Sequence, residues 1–275
     1  LGCFKVACVQ NCAGSNQTEN ISKVETLIRG AHGVGAKLIC LPEFYSVLEP
    51  NDADYWERGS DMECHPALLH AKSLASELAC WLLLGSIPVK AHNCKVHNRS
   101  ILLNAEGHVI GYYDKLHLFD VAIKDGQEYK ESRNVIPGES ARLLTTPWGG
   151  LGLTICYDIR FPALYRSLAQ AGACFISIPA AFTEKTGAAH WHTLVRSRAI
   201  ETGSYIFAPG QTGTRPWGRK TYGHSLIVDP WGAVLADGGV DEGYITAEID
   251  PEKSWVARRM IPSLQNDIAF RVSKK

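Results

Sequence analysis

The sequence repeats itself, and this repeat constrains the fold more than any other feature. Residues 35–42 read GAKLICLP, and residues 172–179 read GACFISIP, 137 residues further along the chain. A longer match aligns SILLNAEGHVI at 100–110 without gaps on SLIVDPWGAVL at 225–235. A chain of 275 residues that carries both matches is built from two related halves.

Each half predicts the same order of elements: strand, helix, strand, helix, strand and then a β-hairpin. The hairpin turns place Gly107 and Gly232 where a positive φ is needed. The strands LICL, WLLLG, FISI and YIFA are continuous apolar runs, which is typical of strands buried on both faces. The helices of each half cover one face of its sheet, so the other face must pack against the sheet of the other half.

The predicted fold class is therefore α/β, a four-layer α-β-β-α sandwich made of two pseudo-equivalent halves. An ordinary doubly wound sheet with all strands in one layer is the alternative. The two halves are joined without a low-complexity segment or a linker rich in Pro, Gly and Ser, so we expect a single domain over residues 1–275.

Charge and hydropathy exclude several classes of partner. The 28 Lys and Arg residues balance the 28 Asp and Glu residues, whereas nucleic-acid binding needs an excess of positive charge. A polybasic membrane patch is excluded for the same reason. The apolar runs are also far shorter than the roughly 20 residues of a membrane span. We expect no nucleic-acid partner and no membrane partner.

Nine cysteines are dispersed through the chain without a CxxC pair, which fits neither a zinc site nor a secreted disulfide framework. The start of the chain lacks the pattern of a secretory signal. These features predict free thiols in a reducing compartment, which is the cytoplasm, and no metal. The three glycosylation-type sequons, at Asn16, Asn20 and Asn98, are then expected to be chance matches.

Three chemically active residues each follow an apolar strand, where α/β folds collect reactive groups. Glu43 follows LICLP, Lys115 follows HVIGYYD, and Cys156 follows GLGLTI. Each alone also fits a structural role: an acid at a helix start, a solvated cation and a small buried residue. Together they match acyl transfer at an amide or nitrile carbon, with a thiol nucleophile, a carboxylate base and an ammonium for the oxyanion. The backbone N–H of Tyr157 is a second candidate oxyanion donor, and this chemistry requires no cofactor.

Three blocks of sequence, LPEF, YDKLHLFD and GLTICYDIRFP, resemble the catalytic blocks of the nitrilase (carbon–nitrogen hydrolase) superfamily, and the resemblance runs over nearly the whole chain. It implies that Glu43 is the general base, that Lys115 stabilises the oxyanion and that Cys156 forms a thioester. The family often has a second active-site glutamate, which Glu131 in YKES matches; Glu128 is the alternative.

Within the superfamily, CYDIRFP, AHW, SRAIET and GHSLIVDPWG resemble the Nit branch of deaminated glutathione amidases and ω-amidases. The resemblance implies an amidase that releases ammonia or an amine from a small anionic amide. That substrate is deaminated glutathione or an ω-amide of a dicarboxylic acid. An N-carbamoyl-amine hydrolase or a nitrilase of the same superfamily is the alternative. A non-catalytic interaction protein is the more distant one.

An anionic substrate calls for a cation in the pocket, and Arg160, four residues after Cys156, is the candidate. Its alternative role is an ion pair that braces the loop. Tyr45, Phe182 and Thr186 follow the two equivalent strands that end in proline. We expect them to line the pocket together with Tyr157, although packing within the loops is equally compatible with the sequence.

The segment 211–222, QTGTRPWGRKTY, carries three cations near the expected mouth of the site, and its role cannot be assigned from the sequence. The resemblance also implies a homodimer, or a higher homo-oligomer, assembled through helices near 161–171 and 190–203.

Overall fold

The computed structural model describes residues 2–49, 55–123 and 127–274. The strands of the first half are β1 (Phe4–Gln10), β2 (Leu38–Cys40), β3 (Trp81–Lys90), β4 (Val96–Leu103) and β5 (Val109–Asp114). A two-stranded hairpin follows, formed by β6 (Asp120–Ile123) and β7 (Gln127–Lys130). The strands of the second half are β8 (Arg142–Thr146), β9 (Gly149–Leu153), β10 (Ala173–Ser177), β11 (Tyr205–Ala208), β12 (Leu226–Val228) and β13 (Val234–Asp237), and β14 (Gly243–Ile249) comes last.

The two six-stranded sheets have the same internal order. The first runs β14-β1-β2-β3-β4-β5 and the second runs β8-β9-β10-β11-β12-β13. In each sheet three central strands are parallel, and the outer strands join them antiparallel. This matching order is the structural counterpart of the sequence repeat. One detail differs from the expected separation of the halves: β14, near the end of the chain, completes the sheet of the first half by pairing with β1.

The helices are α1 (Gln17–Gly33), α2 (Tyr55–Arg58), α3 (Pro66–Leu78), α4 (Pro162–Gln170), α5 (Glu184–Thr202) and α6 (Glu252–Met260). Short polar residues and prolines mark their ends: Asn16 caps α1 by accepting a hydrogen bond from the Glu19 N–H, and α3 and α4 begin with proline. Gly203 ends α5 in the left-handed conformation. Each helix in the described ranges is too short or too polar to cross a lipid bilayer.

The alternation of side chains along β1 shows how the layers are stacked. Val6 and Cys8 belong to a hydrophobic cluster that also contains Leu151 and Phe207 of the second sheet. The intervening side chains belong to another cluster, formed with residues of α1 and α3; its members include Ala7, Val9, Val24 and Leu74. Successive residues of a strand point to opposite faces, so the two sheets lie face to face with helices outside. The predicted four-layer sandwich is confirmed, and the alternative of a single layer of strands is wrong.

Candidate active site

The strand ends of both halves converge on one cleft. Glu43 lies in the turn after β2, and Lys115 directly follows β5. Cys156 opens a 3₁₀ turn, Cys156–Arg160, just after β9, and Glu131 opens another, Glu131–Arg133, after β7. All four side chains line the same cleft. The three residues expected at strand ends, and the glutamate implied by the family resemblance, therefore lie together in the folded chain.

Lys115 is the electrostatic centre of this group. Its Nζ lies 2.8 Å from Oε1 of Glu43 and 2.9 Å from Oε2 of Glu131. The lysine is only 2% exposed, so both ion pairs lie in a region where water screens charge poorly. The two carboxylates therefore hold the ammonium at one place in the cleft.

A residue that the sequence did not single out, Asn98 of β4, completes this arrangement. Its Nδ2 donates to Oε1 of Glu43 at 2.9 Å and to Oε1 of Glu131 at 3.1 Å. Its backbone carbonyl accepts the N–H of Lys115 at 3.0 Å. The sequence hides this role, because Asn98 lies in the polar part of β4, VHNRSILL, although its side chain is fully buried and needs hydrogen-bond partners.

The second half of the molecule also holds the Glu43 carboxylate. The backbone N–H of Ala181, which follows β10, donates to Oε2 of Glu43 at 2.9 Å. The backbone N–H of Phe119 donates to Oε2 of Glu131 at 2.7 Å in a similar way. Each carboxylate is thus oriented by the ammonium of Lys115 and by one backbone N–H donor.

Cys156 occupies a constrained backbone position. Its φ is +48°, in the left-handed region that non-glycine residues rarely adopt, at a cost of about 1–2 kcal/mol. Its N–H donates to the carbonyl of Pro179 at 2.9 Å. The buried carboxylate of Asp158 holds the turn by accepting from the N–H of Ile155 at 2.8 Å and the hydroxyl of Tyr113 at 2.7 Å. Such strain persists where surrounding contacts over-determine the geometry, and it fixes where the thiol points.

The electrostatics favour a protonated thiol beside an ionised carboxylate. Burial raises the pKa of the Cys156 thiol well above its usual value, and the negative charge of Glu43 raises it further. Burial alone would also raise the pKa of Glu43, but the ammonium of Lys115 and the hydrogen bonds from Lys115, Cys156 and Asn98 outweigh it, so that the pKa is lowered. Glu43 is therefore ready to accept the proton that Cys156 carries.

The pKa values of the other two charged groups of the site are both raised, for different reasons. Burial would lower the pKa of Lys115, but the carboxylates of Glu131 and Glu43 raise it well above its usual value. Burial raises the pKa of Glu131, and the nearby charge of Glu43 adds to that effect. Lys115 therefore stays an ammonium through the whole neutral range.

Of the expected substrate-binding residues, Tyr157, Phe182 and Thr186 line the cleft. Tyr45 does not. Its side chain is buried in the cluster under α3, where the hydroxyl donates to the carbonyl of Ala67 at 3.3 Å. The preceding residue, Phe44, enters the cleft instead, because its φ of +52° turns the chain between the two positions.

Arg160 also has a different place from the one expected. Its guanidinium carbon lies 5.4 Å from the centroid of the Phe182 ring, and its Nη2 lies 3.3 Å from Nδ1 of His190. The cation that lines the cleft beside Lys115 is Arg219, from the segment 211–222. The side chain of Glu128, the alternative to Glu131, lies outside the described part of the structure.

One group of side chains in the described ranges has the composition of a metal site, and none of its members lines the cleft. His192 of α5, His224 and Asp237 of β13 present their ligand atoms within 4.8 Å of one another. Both histidines already contact the Asp237 carboxylate, with His192 Nε2 at 3.0 Å and His224 Nδ1 at 2.9 Å.

Fold and site define the class of protein: a four-layer α-β-β-α sandwich with a buried thiol, carboxylate and ammonium in one cleft. The model of the carbon–nitrogen hydrolase family matches residues 5–259. The chain belongs to this family and is an enzyme of that class, so the interpretation as a non-catalytic interaction protein is wrong.

Relatives and solved structures agree with this assignment. A deaminated glutathione amidase of Synechocystis sp. is 38% identical over 269 residues, which cover 96% of this chain and 98% of that protein. The deaminated glutathione amidase of Homo sapiens is 37% identical, over 95% of this chain and 81% of the relative.

Two crystal structures extend the likeness to three dimensions. Saccharomyces cerevisiae Nit3, a member of branch 10 of the nitrilase superfamily, has a TM-score of 0.85 at 31% identity and covers 94% of each chain. The C. elegans NitFhit protein has a TM-score of 0.89 at 33% identity over 97% of this chain, which spans 65% of that longer protein. The predicted membership of the nitrilase superfamily is confirmed.

Proposed function

We propose that this enzyme is a cysteine-dependent amidase that hydrolyses the C–N bond of a small anionic amide, either deaminated glutathione or an ω-amide of a dicarboxylic acid. The observation that carries the proposal is the buried Lys115 ammonium held between Glu43 and Glu131 in the cleft that Cys156 lines. Relatives named deaminated glutathione amidase at 35–38% identity support the choice of substrate.

In the first half-reaction, Glu43 takes the proton of the Cys156 thiol while the sulfur attacks the amide carbon. The oxygen of the tetrahedral intermediate gains negative charge, which the Lys115 ammonium and the backbone N–H of Tyr157 stabilise. Protonated Glu43 then gives its proton to the departing nitrogen, so the C–N bond breaks and ammonia or an amine leaves. The acyl group remains on Cys156 as a thioester.

In the second half-reaction, Glu43 deprotonates a water molecule, which attacks the thioester carbon. The C–S bond breaks, the sulfur of Cys156 regains a proton from Glu43, and the carboxylic acid product departs. Glu131 acts through Lys115 by holding the ammonium toward the oxyanion. The Cys156 thiol supplies the proton that leaves with the nitrogen, and the water molecule supplies the proton that restores the thiol, so the two steps balance.

A substrate panel tests the proposal directly. Ammonia release is measured with deaminated glutathione, α-ketoglutaramate, succinamate, N-carbamoyl-β-alanine and simple nitriles. We expect turnover of the first three to exceed that of the carbamoyl compound and the nitriles. Preference for N-carbamoyl-β-alanine or for a nitrile would select one of the alternative activities.

The covalent step has its own test. Rapid acid quenching during turnover, followed by intact-mass analysis, should reveal the acyl mass on the peptide that contains Cys156. Turnover without any adduct under conditions where acylation outpaces hydrolysis would argue for direct attack by water and against the thioester.

We further propose that the chain is one domain and assembles as a homodimer through α4 and α5. Apolar side chains on this side support the dimer: Ile200, Trp231 and Ile261 are each more than half exposed and line one groove. Light scattering should give about twice the chain mass of 30.2 kDa, and a monomer mass would contradict the dimer.

We place the protein in the cytoplasm, because the exposed free thiols of Cys3, Cys64 and Cys94 suit a reducing compartment. Fractionation of cells that produce the protein tests this placement. Recovery with an oxidising compartment, or disulfides at these cysteines in protein isolated under thiol-blocking conditions, would contradict it.

A further inference from the structure

We propose that Arg219 forms a carboxylate-binding subsite in the cleft and that this subsite selects amides bearing a second, ionised carboxyl group. The inference rests on the proposed amidase function and adds the residue that reads the substrate's charge. The three cations of the segment 211–222 lie in three different environments.

Arg215 is a structural cation. It is buried, and its guanidinium donates to the carbonyls of Ala13 and Thr212 and to Oε1 of Gln211. The bond to Ala13 ties the segment to the first half of the molecule, and the other two lie within the segment. Burial lowers the pKa of Arg215 to about 10. Its hydrogen bonds commit this side chain to packing, so it is not available to a ligand.

Lys220 is a surface cation. It is exposed, and its Nζ forms an ion pair with the exposed carboxylate of Glu184 at the start of α5. An exposed pair of this kind contributes little energy.

Arg219 differs from both of its neighbours. It lines the cleft together with Cys156, and its Nε is buried without a hydrogen-bond partner among the side chains and backbone that the structure describes. Its guanidinium carbon lies 6.0 Å from the centroid of the Tyr129 ring, which also lines the cleft. A buried guanidinium nitrogen without an acceptor is costly, which indicates that an acceptor arrives with the ligand.

The charges in the cleft explain why this acceptor should be the carboxylate of a substrate. Lys115 is already paired with Glu43 and Glu131, so it cannot also neutralise a remote group of the substrate. Two carboxylates against one ammonium would repel an anion. Arg219 brings the balance to two cations against two carboxylates, and a planar guanidinium binds a carboxylate through two parallel hydrogen bonds.

The backbone positions Arg219 before a ligand binds. The carbonyl of Arg219 accepts the N–H of Arg215 at 2.9 Å, and Thr221 pairs with Thr183, which lies on the cleft wall. These contacts fix the backbone from which the Arg219 side chain enters the cleft, so only the side chain has to be ordered on binding, which favours affinity and selectivity.

The kinetic test compares one anionic and one neutral amide of similar size, succinamate and butanamide. In Arg219→Met we expect kcat/KM for succinamate to fall about 10- to 100-fold, the range for loss of a charge-assisted hydrogen bond. The value for butanamide should stay within about threefold, because that substrate has no carboxylate to bind. Lys220→Met, which removes the adjacent cation, is the matched control and should leave the ratio of the two substrates unchanged.

A binding test does not depend on turnover. Calorimetry measures the affinity of succinamate for Cys156→Ala, for the same protein with Arg219→Met, and for the same protein with Lys220→Met. We expect affinity to weaken about 10- to 100-fold only with Arg219→Met, and raised salt to weaken binding to the other two proteins. Circular dichroism on each protein establishes that it is folded, and Arg219→Lys, which keeps the charge, should bind with intermediate affinity.

The outcomes separate the two proposals. Equal loss on succinamate and butanamide, or unchanged succinamate affinity in Arg219→Met, would overturn the carboxylate subsite while leaving the amidase intact. If wild-type enzyme hydrolyses none of the amides, the amidase proposal fails. The binding comparison then still decides whether Arg219 holds a carboxylate.

Discussion

The two halves of the molecule end equivalent strands in the same way but place different groups there. β2 and β10 both run into a proline, Pro42 and Pro179. In the first half Glu43 follows, whereas in the second half the corresponding turn offers the backbone N–H of Ala181, which donates to the Glu43 carboxylate. One half thus supplies a charged side chain and the other supplies a fixed donor for it.

The first parallel strands show the same division. Val6 of β1 and Leu151 of β9 occupy equivalent positions, because each pairs with an equivalent residue of the neighbouring parallel strand. Counting along the chain from these two residues aligns Asn11 with Cys156. The nucleophile of the second half therefore has an amide as its counterpart. Nearby amides make hydrogen bonds between the halves: Gln211 Nε2 donates to the carbonyl of Glu43 at 3.1 Å. The ends of β2 and β9 therefore carry the reactive groups, whereas the equivalent ends of β10 and β1 carry backbone and side-chain amides that form hydrogen bonds.

The largest effect should come from the nucleophile. We expect Cys156→Ala to reduce kcat by on the order of 10⁴-fold or more and to leave the fold intact, because no other group can form the thioester. Cys174→Ala, which changes another buried cysteine of the second half, is the control and should keep its activity. Residual turnover of Cys156→Ala near the wild-type rate would contradict the assignment of the nucleophile to this residue of the second half.

The next effect concerns the cation of the first half. Lys115→Ala should lower kcat by about 10²- to 10³-fold, the usual consequence of removing one oxyanion donor. Its removal also leaves two buried carboxylates unpaired, so thermal melting must accompany the kinetics. Lys115→Arg keeps the charge and should fold like the wild type, yet still react slowly because its guanidinium nitrogens are displaced. If Lys115→Ala is folded and its rate is within tenfold of wild type, backbone donors alone stabilise the oxyanion.

The pH dependence reports on Glu43. Because its pKa is lowered, the carboxylate stays ionised below the usual range, and the midpoint of the acid limb of kcat/KM should lie below 4.5, the usual value for a glutamate. Below its pKa, activity falls about tenfold per pH unit, whereas the stability that the ionised form contributes is lost as the pH falls from the usual glutamate pKa through the lowered one. Initial rates between pH 3.5 and 8 check this, with circular dichroism to confirm that the protein stays folded. An acid limb centred near pH 6 would point to a histidine as the base.

The smallest effect on activity should come from the end of β1, which contributes no reactive group. Gln10 Nε2 donates to the carbonyls of Gly238, Gly239 and Asp241, and Oε1 accepts the N–H of Ser225. Gln10→Met leaves these backbone groups unpaired and should lower the free energy of unfolding by about 2 kcal/mol. Denaturant titration measures this change, and kcat at 25 °C should stay within twofold. A loss of activity without a loss of stability would mean that the end of β1 also takes part in the reaction.

The sequence predicted the repeat, the layers and the three strand-end residues because each follows from local patterns of apolar and reactive residues. It missed Asn98 because the partners of that side chain come from loops 33 and 55 residues away. It misplaced Tyr45 because a positive φ at Phe44 leaves no trace in residue type. It chose Arg160 over Arg219 because proximity to Cys156 along the chain was the available guide, whereas the folded loop brings Arg219 to the cleft.

The pairing of β1 with β14 has a consequence for how the chain is made. Phe4 of β1 lies opposite Ile249 of β14, so β1 leaves the ribosome long before the strand that becomes its second neighbour. Until β14 is made, β1 therefore presents an unpaired edge, which is the kind of surface that recruits other strands. We expect nascent chains and C-terminal truncations that stop before residue 243 to need chaperones or to aggregate, although they already contain every residue assigned to the chemistry.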